Sequence, residues 1–288
     1  TTNRISGADR YETAAAVARD QVAPAAMTSL VIASGESPYD SLAGSLLVNA
    51  TTPMLLVKKD SVPQSVADFI SDYKASFALL ASPKVYVLGG TSAISAATVT
   101  ALQSAITVTG DLTPPVVTRV SGDNRYATAA AIAAVTGKMV ATDKLIIVNG
   151  RDGGWADALS AAPWAALNGW PVVLTDGGLN ASAKTTIDNY LAIPGSIESF
   201  VIIGGTSAVS TAVTDYLIDN DVAPGAIQRI GGSDRYGTNL LVQTNLLGTL
   251  GGVNVALVSG ESPWDALTSA GWAVAKGAHI VLTPAAGG

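Results

Sequence analysis

Arginine is the residue type whose placement in this sequence points most directly to chemistry. Six of the eight arginines occupy two positions that recur three times along the chain: Arg4 and Arg10, Arg119 and Arg125, and Arg229 and Arg235. A guanidinium group presents a planar fork of N–H donors that fits a carboxylate or a phosphate. Charged residues make up only 13% of the chain, so such regular placement indicates a specific task. We predict that these arginines bind the anionic groups of a polymer.

An alternative for the second arginine of each pair is an ion pair inside the fold. One acidic residue per repeat is available for it, which gives the pairs Arg10 with Asp40, Arg125 with Asp157 and Arg235 with Asp265. A charge that is buried in so apolar a chain needs a partner. The three aspartates, one in each repeat, suit equivalent structural roles better than a catalytic acid–base pair.

An aromatic residue stands at the start of the second helix that we predict in each repeat: Tyr39, Trp155 and Trp264. This helix follows the carboxyl end of a strand, which is where open α/β sheets bind their ligands. An aromatic face at this place can stack on a sugar ring, or it can fill the corner between strand and helix. Trp164 and Trp272 come later in the same helices, and we expect them to pack in the core or at an interface.

Two glycine-rich segments, Gly89-Gly90-Thr91-Ser92 and Gly204-Gly205-Thr206-Ser207, are similar to loops that cradle a phosphate at a helix N-terminus. Neither has the Lys-Ser or Lys-Thr of a Walker A loop, and neither fits the pattern G-x-G-x-x-G. We therefore favour tight strand-to-helix turns for both. An enzyme or small-ligand binder that holds a nucleotide at Gly90 or Gly205 is the remaining alternative.

The rest of the composition excludes several classes of site. Cysteine is absent, so disulfides, thiol nucleophiles and thiolate metal sites are excluded. The only histidine, His279, begins a predicted buried strand, and no catalytic motif or metal-ligand spacing is present. The net charge of −6 argues against nucleic acid, whose phosphates need a basic surface. We expect a non-enzymatic chain with no cofactor, no metal and no nucleic-acid partner.

The motifs recur in a fixed order and divide the chain into repeats. The first motif begins at Arg4, Arg119 and Arg229, the second begins at Ser34, Asn149 and Ser259, and the third begins at Val87 and Ile202 only. This order predicts repeats at 1–118 and 119–228 and a partial repeat at 229–288. A partial repeat leaves an open sheet edge and uncovered apolar surface. We expect either a continuing chain or a neighbouring chain to complete it.

Helices and strands must position these residues. Asp9, Asn124 and Asp234 are typical N-cap residues for the first helix of each repeat. Short apolar runs predict buried strands at 30–33, 145–148 and 255–258, and again at 54–57, 172–174 and 280–282. Strands that alternate with helices predict an α/β fold with parallel sheets, in Rossmann-like or flavodoxin-like units. The uncharged segment 158–175 contains two prolines, so we predict a buried helix and strand rather than a membrane span.

The ordered set of motifs resembles the cell wall-binding repeat type 2 (CWB2) of Gram-positive surface proteins. The resemblance rests on Arg-Ile-Ser-Gly-x-Asp-Arg-Tyr-x-Thr, on an aromatic residue shortly before Asp-Ala-Leu or Asp-Ser-Leu, and on Gly-Gly-Thr-Ser-Ala, or close variants of these. It implies three Rossmann-like units around a pseudo-threefold axis, secretion to the cell wall or surface, and non-covalent anchoring to an anionic wall polymer. The alternative is a surface-layer or filament subunit that assembles through its own repeats, the open third repeat in particular.

Overall fold

Helices and strands alternate along the whole of the described chain. The structure is a computed structural model, and it describes residues 2–80, 83–108, 114–135, 142–195, 197, 199–246 and 254–284. The first unit runs in the order α1 (Arg10–Gln21), β1 (Ser29–Ser34), a 3₁₀ helix (Tyr39–Leu46), β2 (Met54–Val57), α2 (Gln64–Phe77), β3 (Lys84–Leu88), α3 (Ala96–Ile106) and β4 (Val116–Val120).

The second unit repeats this order, and the third repeats its first half. The second unit consists of α4 (Arg125–Val135), β5 (Lys144–Asn149), α5 (Trp155–Asn168), β6 (Val172–Thr175), α6 (Ala181–Leu191), β7 (Ser199–Ile203), α7 (Thr211–Asp219) and β8 (Ile227–Ile230). The third consists of α8 (Arg235–Asn245), β9 (Asn254–Ser259), α9 (Trp264–Lys276) and β10 (Ala278–Thr283). Short 3₁₀ turns at Pro24–Ala26 and Pro224–Ala226 complete the described elements.

In the described ranges, every strand pair in the three sheets is parallel. The strand orders are β2-β1-β3-β4 in the first sheet, β6-β5-β7-β8 in the second and β10-β9 in the third. The order of the two larger sheets is flavodoxin-like, with a switch point between the first and third strands of each unit. The predicted α/β fold class, with three repeated units and parallel sheets, is therefore confirmed.

The fourth strand of each complete sheet contains an arginine that the sequence assigns to the next repeat. Arg119 in β4 pairs with Val87 of β3, and Arg229 in β8 pairs with Ile202 of β7. The sequence boundaries at 118/119 and 228/229 therefore fall inside strands. Residues 2–8, which carry Arg4, are not in a strand, because the third sheet has no matching neighbour for them in the described part of the chain.

The core is shared between the units. One large apolar cluster contains residues of all three units, and two further clusters lie under the outer helices of the first and second units. The 3₁₀ helix, α5 and α9 contact one another at the centre. Each also packs on the first helix of the following unit, so that the 3₁₀ helix contacts α4, α5 contacts α8, and α9 contacts α1. These contacts close a ring and give the pseudo-threefold arrangement.

Both tryptophans in the middle of the central helices lie at boundaries between units. The ring of Trp164, in α5, is 5.7 Å from that of His279 in the third unit. The Nε1 of Trp272, in α9, donates a hydrogen bond of 2.7 Å to Asp20 in the first unit. The uncharged segment 158–175 lies within α5 and β6 and the turn between them, and no helix that the structure describes has the length and apolarity to cross a membrane.

The third sheet leaves apolar side chains uncovered in the described structure. Val255 and Leu257 of β9 are 52% and 68% exposed. The equivalent side chains of β1 and β5 are buried under the outer helices of their own units. One apolar sheet face next to an open strand edge therefore remains on the surface of the third unit.

Candidate functional site

An N-cap residue precedes the first helix of each unit, and an arginine is the first residue of that helix. The side chains of Asp9, Asn124 and Asp234 accept hydrogen bonds of 2.7–3.0 Å from backbone amides of the first turn. A cap of this kind fixes where the helix starts. It therefore fixes the direction in which the next residue, Arg10, Arg125 or Arg235, leaves the helix.

Each of these arginines is tied to a glycine of its own unit. The Nη1 atom donates to the carbonyl oxygen of the glycine that follows the first strand: Arg10 to Gly35 at 2.6 Å, Arg125 to Gly150 at 3.0 Å and Arg235 to Gly260 at 2.6 Å. One N–H group of the guanidinium fork is used in this contact. The loop at the carboxyl end of the strand is thereby joined to the first helix.

Each guanidinium group lies over an aromatic ring of a neighbouring unit: unit 2 over unit 1, unit 3 over unit 2, and unit 1 over unit 3. The distance from Cζ to the ring centroid is 3.7 Å for Arg125 over Tyr39, 5.1 Å for Arg235 over Trp155 and 4.3 Å for Arg10 over Trp264. Contacts of this geometry are attractive cation–π contacts. We name them by the units they join: the 1–2 cluster (Arg125 and Tyr39), the 2–3 cluster (Arg235 and Trp155) and the 3–1 cluster (Arg10 and Trp264).

The charges of the same arginines act on the aspartates near the start of the central helices. The expectation of ion pairs inside one repeat is wrong: Asp40 interacts with Arg125, Asp157 with Arg235 and Asp265 with Arg10. The physical reason is that each central helix begins at a unit boundary, so its first turn points towards the next unit. In the described structure, no carboxylate oxygen of these aspartates lies within 4.0 Å of a guanidinium nitrogen of its arginine, so none of the pairs is a salt bridge.

Burial changes the acidity of these carboxyl groups. It raises the pKa of Asp157 to about 6, against the opposing charge of Arg235. Burial also raises the pKa of Asp40, where the Thr128 hydroxyl and the Arg125 charge oppose it, and the pKa of Asp265. A buried carboxylate is costly because it loses its hydration.

Two of these carboxyl groups lie directly beneath the glycine turns. A Cβ atom on Gly89 would lie 2.6 Å from Oδ2 of Asp40, and one on Gly204 would lie 2.7 Å from Oδ2 of Asp157. Both glycines also have positive φ angles, of 96° and 112°, which side chains disfavour. The glycine-rich segments therefore form tight turns over the aspartates, in keeping with the structural interpretation of the motif.

The first arginine of each repeat has a different environment. Arg119 donates to the carbonyl oxygens of Gly89 and Ile94 at 2.6 and 2.7 Å, and Arg229 donates to those of Gly204 and Val209 at 3.1 and 2.8 Å. These two side chains hold the glycine turns in place from the fourth strand. Arg4 is exposed and lies outside helices and strands.

Asp152 is a site residue that the sequence reasoning missed. Its Oδ1 lies 2.7 Å from Nη1 of Arg125, which makes it the salt-bridge partner of that arginine. The available signal was the length of the loop: four residues separate Gly150 from Trp155, whereas three separate Gly35 from Tyr39. In the part of the chain that the structure describes, no group of acidic residues or histidine could hold a metal ion.

Comparison with known proteins places this arrangement of units in a family. The family model described as "Cell wall binding domain 2 (CWB2)" matches residues 4–99, 119–214 and 229–287. The chain belongs to the CWB2 family. The three matched stretches begin at Arg4, Arg119 and Arg229, where the first motif recurs, and each contains one arginine and one aromatic residue of the clusters.

Curated relatives and solved structures agree with this membership. The chain is 29% identical over 284 residues to "N-acetylmuramoyl-L-alanine amidase LytC" and 28% identical to "Amidase enhancer", both of Bacillus subtilis (strain 168). The matches cover 97% and 98% of this chain but only 50% and 34% of the two relatives.

Among solved structures, Cwp8 from Clostridium difficile superposes with a TM-score of 0.80 at 28% identity, over 97% of this chain and 44% of that one. Cwp6 from Clostridium difficile superposes with a TM-score of 0.79 at 24% identity, over 97% and 41%. The likeness to Cwp6, at 24% identity, shows a shared fold alone.

Proposed function

We propose that this CWB2 chain binds an anionic polymer of the Gram-positive cell wall non-covalently and without catalysis, at the cell surface after secretion. The observation that carries the proposal is the threefold recurrence of an arginine over an aromatic ring at each unit boundary. A polymer repeats its chemical groups, and a ring of three similar clusters repeats the complementary groups on the protein.

The 1–2 and 3–1 clusters combine the two contacts that an anionic sugar polymer requires, and the 2–3 cluster, whose Trp155 is buried, offers the arginine alone. Each guanidinium group commits Nη1 to a backbone carbonyl, which leaves further N–H donors for a phosphate or carboxylate. The aromatic rings of Tyr39 and Trp264 are only partly buried, so they can contact a sugar ring. The net charge of −6 repels a polyanion at long range, and we therefore expect binding through these short-range contacts.

We propose a non-catalytic role for the chain itself because its family is described as a binding domain. The amidase LytC of Bacillus subtilis is matched over 50% of its length, so half of that protein lies outside the similarity. Purified walls incubated with the chain should accordingly release no soluble fragments.

Sedimentation with purified cell walls tests the proposal. We expect wild-type chain to be retained, and we expect the triple variant Arg10→Ala, Arg125→Ala, Arg235→Ala to bind about 100-fold more weakly, because it loses three solvent-exposed charge contacts of about 1 kcal/mol each. Arg19→Ala is the control, since Arg19 pairs with Asp72 on the outer side of the first unit. Walls stripped of anionic polymer should retain neither protein. Equal retention of wild type and triple variant would contradict the proposal.

A second candidate function is assembly as a surface-layer or filament subunit. The open edge of β9 and the exposed Val255 and Leu257 favour it, because unpaired strand edges with apolar side chains promote association. We expect light scattering to show a mass that rises with concentration, and Leu257→Lys to abolish the rise. A constant monomer mass for wild type would contradict assembly while leaving polymer binding intact.

A further inference from the structure

The three clusters share their geometry but differ in the acidic groups around the arginine. In the 1–2 cluster, Asp152 forms a salt bridge of 2.7 Å with Arg125, although its own side chain is 82% exposed. The Tyr39 hydroxyl accepts a hydrogen bond of 3.3 Å from the amide of Gly153. The loop that carries Asp152 is therefore held against both members of this cluster.

Asp152 makes two of the contacts that a bound anion would make, although its side chain remains exposed. The hydrogen bond and charge of Arg125, together with a hydrogen bond from Tyr39, lower the pKa of Asp152. The carboxylate thus takes up one of the guanidinium donors and lies beside the aromatic ring. These are the contacts that the proposed function assigns to an anionic group of the polymer.

Among the residues that the structure describes, the other two clusters have no such carboxylate. Ser37 and Ser262 occupy the corresponding loop positions, and no acidic group in the described structure lies within 4.0 Å of the guanidinium nitrogens of Arg10 or Arg235. Glu261 in the same loop is bonded instead to the Tyr236 hydroxyl. The positive charge of these two clusters is therefore not neutralised by direct contact.

We propose that Asp152 occupies, within the 1–2 cluster, the place that an anionic group of the polymer takes in the 2–3 and 3–1 clusters. This inference rests on the proposed function and adds that the three sites are unequal. Arg10 in the 3–1 cluster and Arg235 in the 2–3 cluster form the two strong anion subsites, and because Trp155 is buried, the 2–3 cluster offers the anion the guanidinium group alone. Asp152 weakens the subsite of the 1–2 cluster, because an incoming anion must displace Asp152 or approach against its charge.

Titration with defined polymers tests the inference. The probes are poly(glycerol phosphate), which offers phosphodiesters, and polygalacturonate, which offers carboxylates. We expect Asp152→Asn to bind about fivefold more tightly than wild type, since it removes one like charge at contact distance. The matched control is Asp219→Asn, which removes the same charge from the exposed end of α7 and should bind like wild type. The polymer that shows the larger gain identifies the class of anion.

Single arginine variants supply a second measurement. We expect Arg10→Ala and Arg235→Ala each to lower the affinity for walls and for the polymers more than Arg125→Ala does. Unfolding midpoints of all variants show whether they remain folded. Equal losses for the three arginines, or an Asp152→Asn that binds no more tightly than Asp219→Asn, would overturn the inference while wall binding stands. Failure of the wild-type chain to bind walls would overturn both.

Discussion

Trp164→Ala should destabilise the protein by about 3–5 kcal/mol, the cost of removing a large aromatic side chain from a core that cannot collapse around the gap. Trp164 is fully buried and belongs to the apolar cluster that joins all three units. Its ring lies against His279 of the third unit. The substitution therefore weakens the second unit and its contact with the third at the same time. Equilibrium unfolding in urea, followed by tryptophan fluorescence and by circular dichroism, measures the loss.

Trp164→Phe is the matched control for this substitution. The Nε1 atom of Trp164 has no hydrogen-bond partner among the residues that the structure describes. Phenylalanine keeps most of the apolar ring and removes this unpaired N–H, so we expect it to lose at most about half as much stability as alanine. A loss below about 1 kcal/mol for the alanine variant, or equal losses for the two, would contradict this account of the interface.

The sequence was sufficient to predict the units themselves. Strand periodicity and recurring motifs are local properties, and a buried strand such as 145–148 is recognisable because its neighbours along the chain are turn residues. The structure extends that strand by one residue at each end, to Lys144–Asn149. Because the motifs recur, a strand predicted in one unit also predicts the equivalent strand in the other units.

The sequence could not predict which unit contributes each partner. Repeats identify residues that are equivalent, such as Arg10 and Arg125, but equivalence along the chain says nothing about contact across a unit boundary. The pairs that the sequence suggests inside one repeat are replaced by pairs between units, such as Asp40 with Arg125. The decisive information is the packing of each central helix on the next unit, which is a long-range property.

The first repeat shows how a local substitution changes an element without moving it. Its central helix is 3₁₀, over Tyr39–Leu46, where the other units have the α-helices α5 and α9. It contains Ser41, Gly44 and Ser45, which have lower helix propensity than the alanines at all three equivalent positions of α5. Gly44 also lies against Leu88 and Met54, so that a Cβ atom would be 2.6 Å from Leu88 Cδ1. Close packing here takes precedence over regular helix geometry.

The placement of charge at the unit boundaries also makes stability depend on pH. Asp157 lies beneath the Gly204 turn, and its burial raises the pKa to about 6, whereas an aspartate in an unfolded chain titrates near pH 3.9. Below about pH 3 the carboxyl group is protonated in both states and imposes no penalty. As the pH rises through 4 to 6, the unfolded state ionises first, so the stability that this group contributes is lost.

Asp157→Asn should remove this dependence because the amide is uncharged at every pH. Between pH 4 and pH 7 we expect the free energy of unfolding of the wild-type chain to fall by about 2–3 kcal/mol more than that of the variant. Asp40 and Asp265, whose pKa values burial also raises, remain in both proteins, so their effect cancels in the comparison. Urea unfolding at several pH values measures the two curves. Parallel curves would show that the carboxylate of Asp157 is satisfied in its ionised form, and the buried aspartate would then be a stabilising partner of Arg235 rather than a cost of holding the turn.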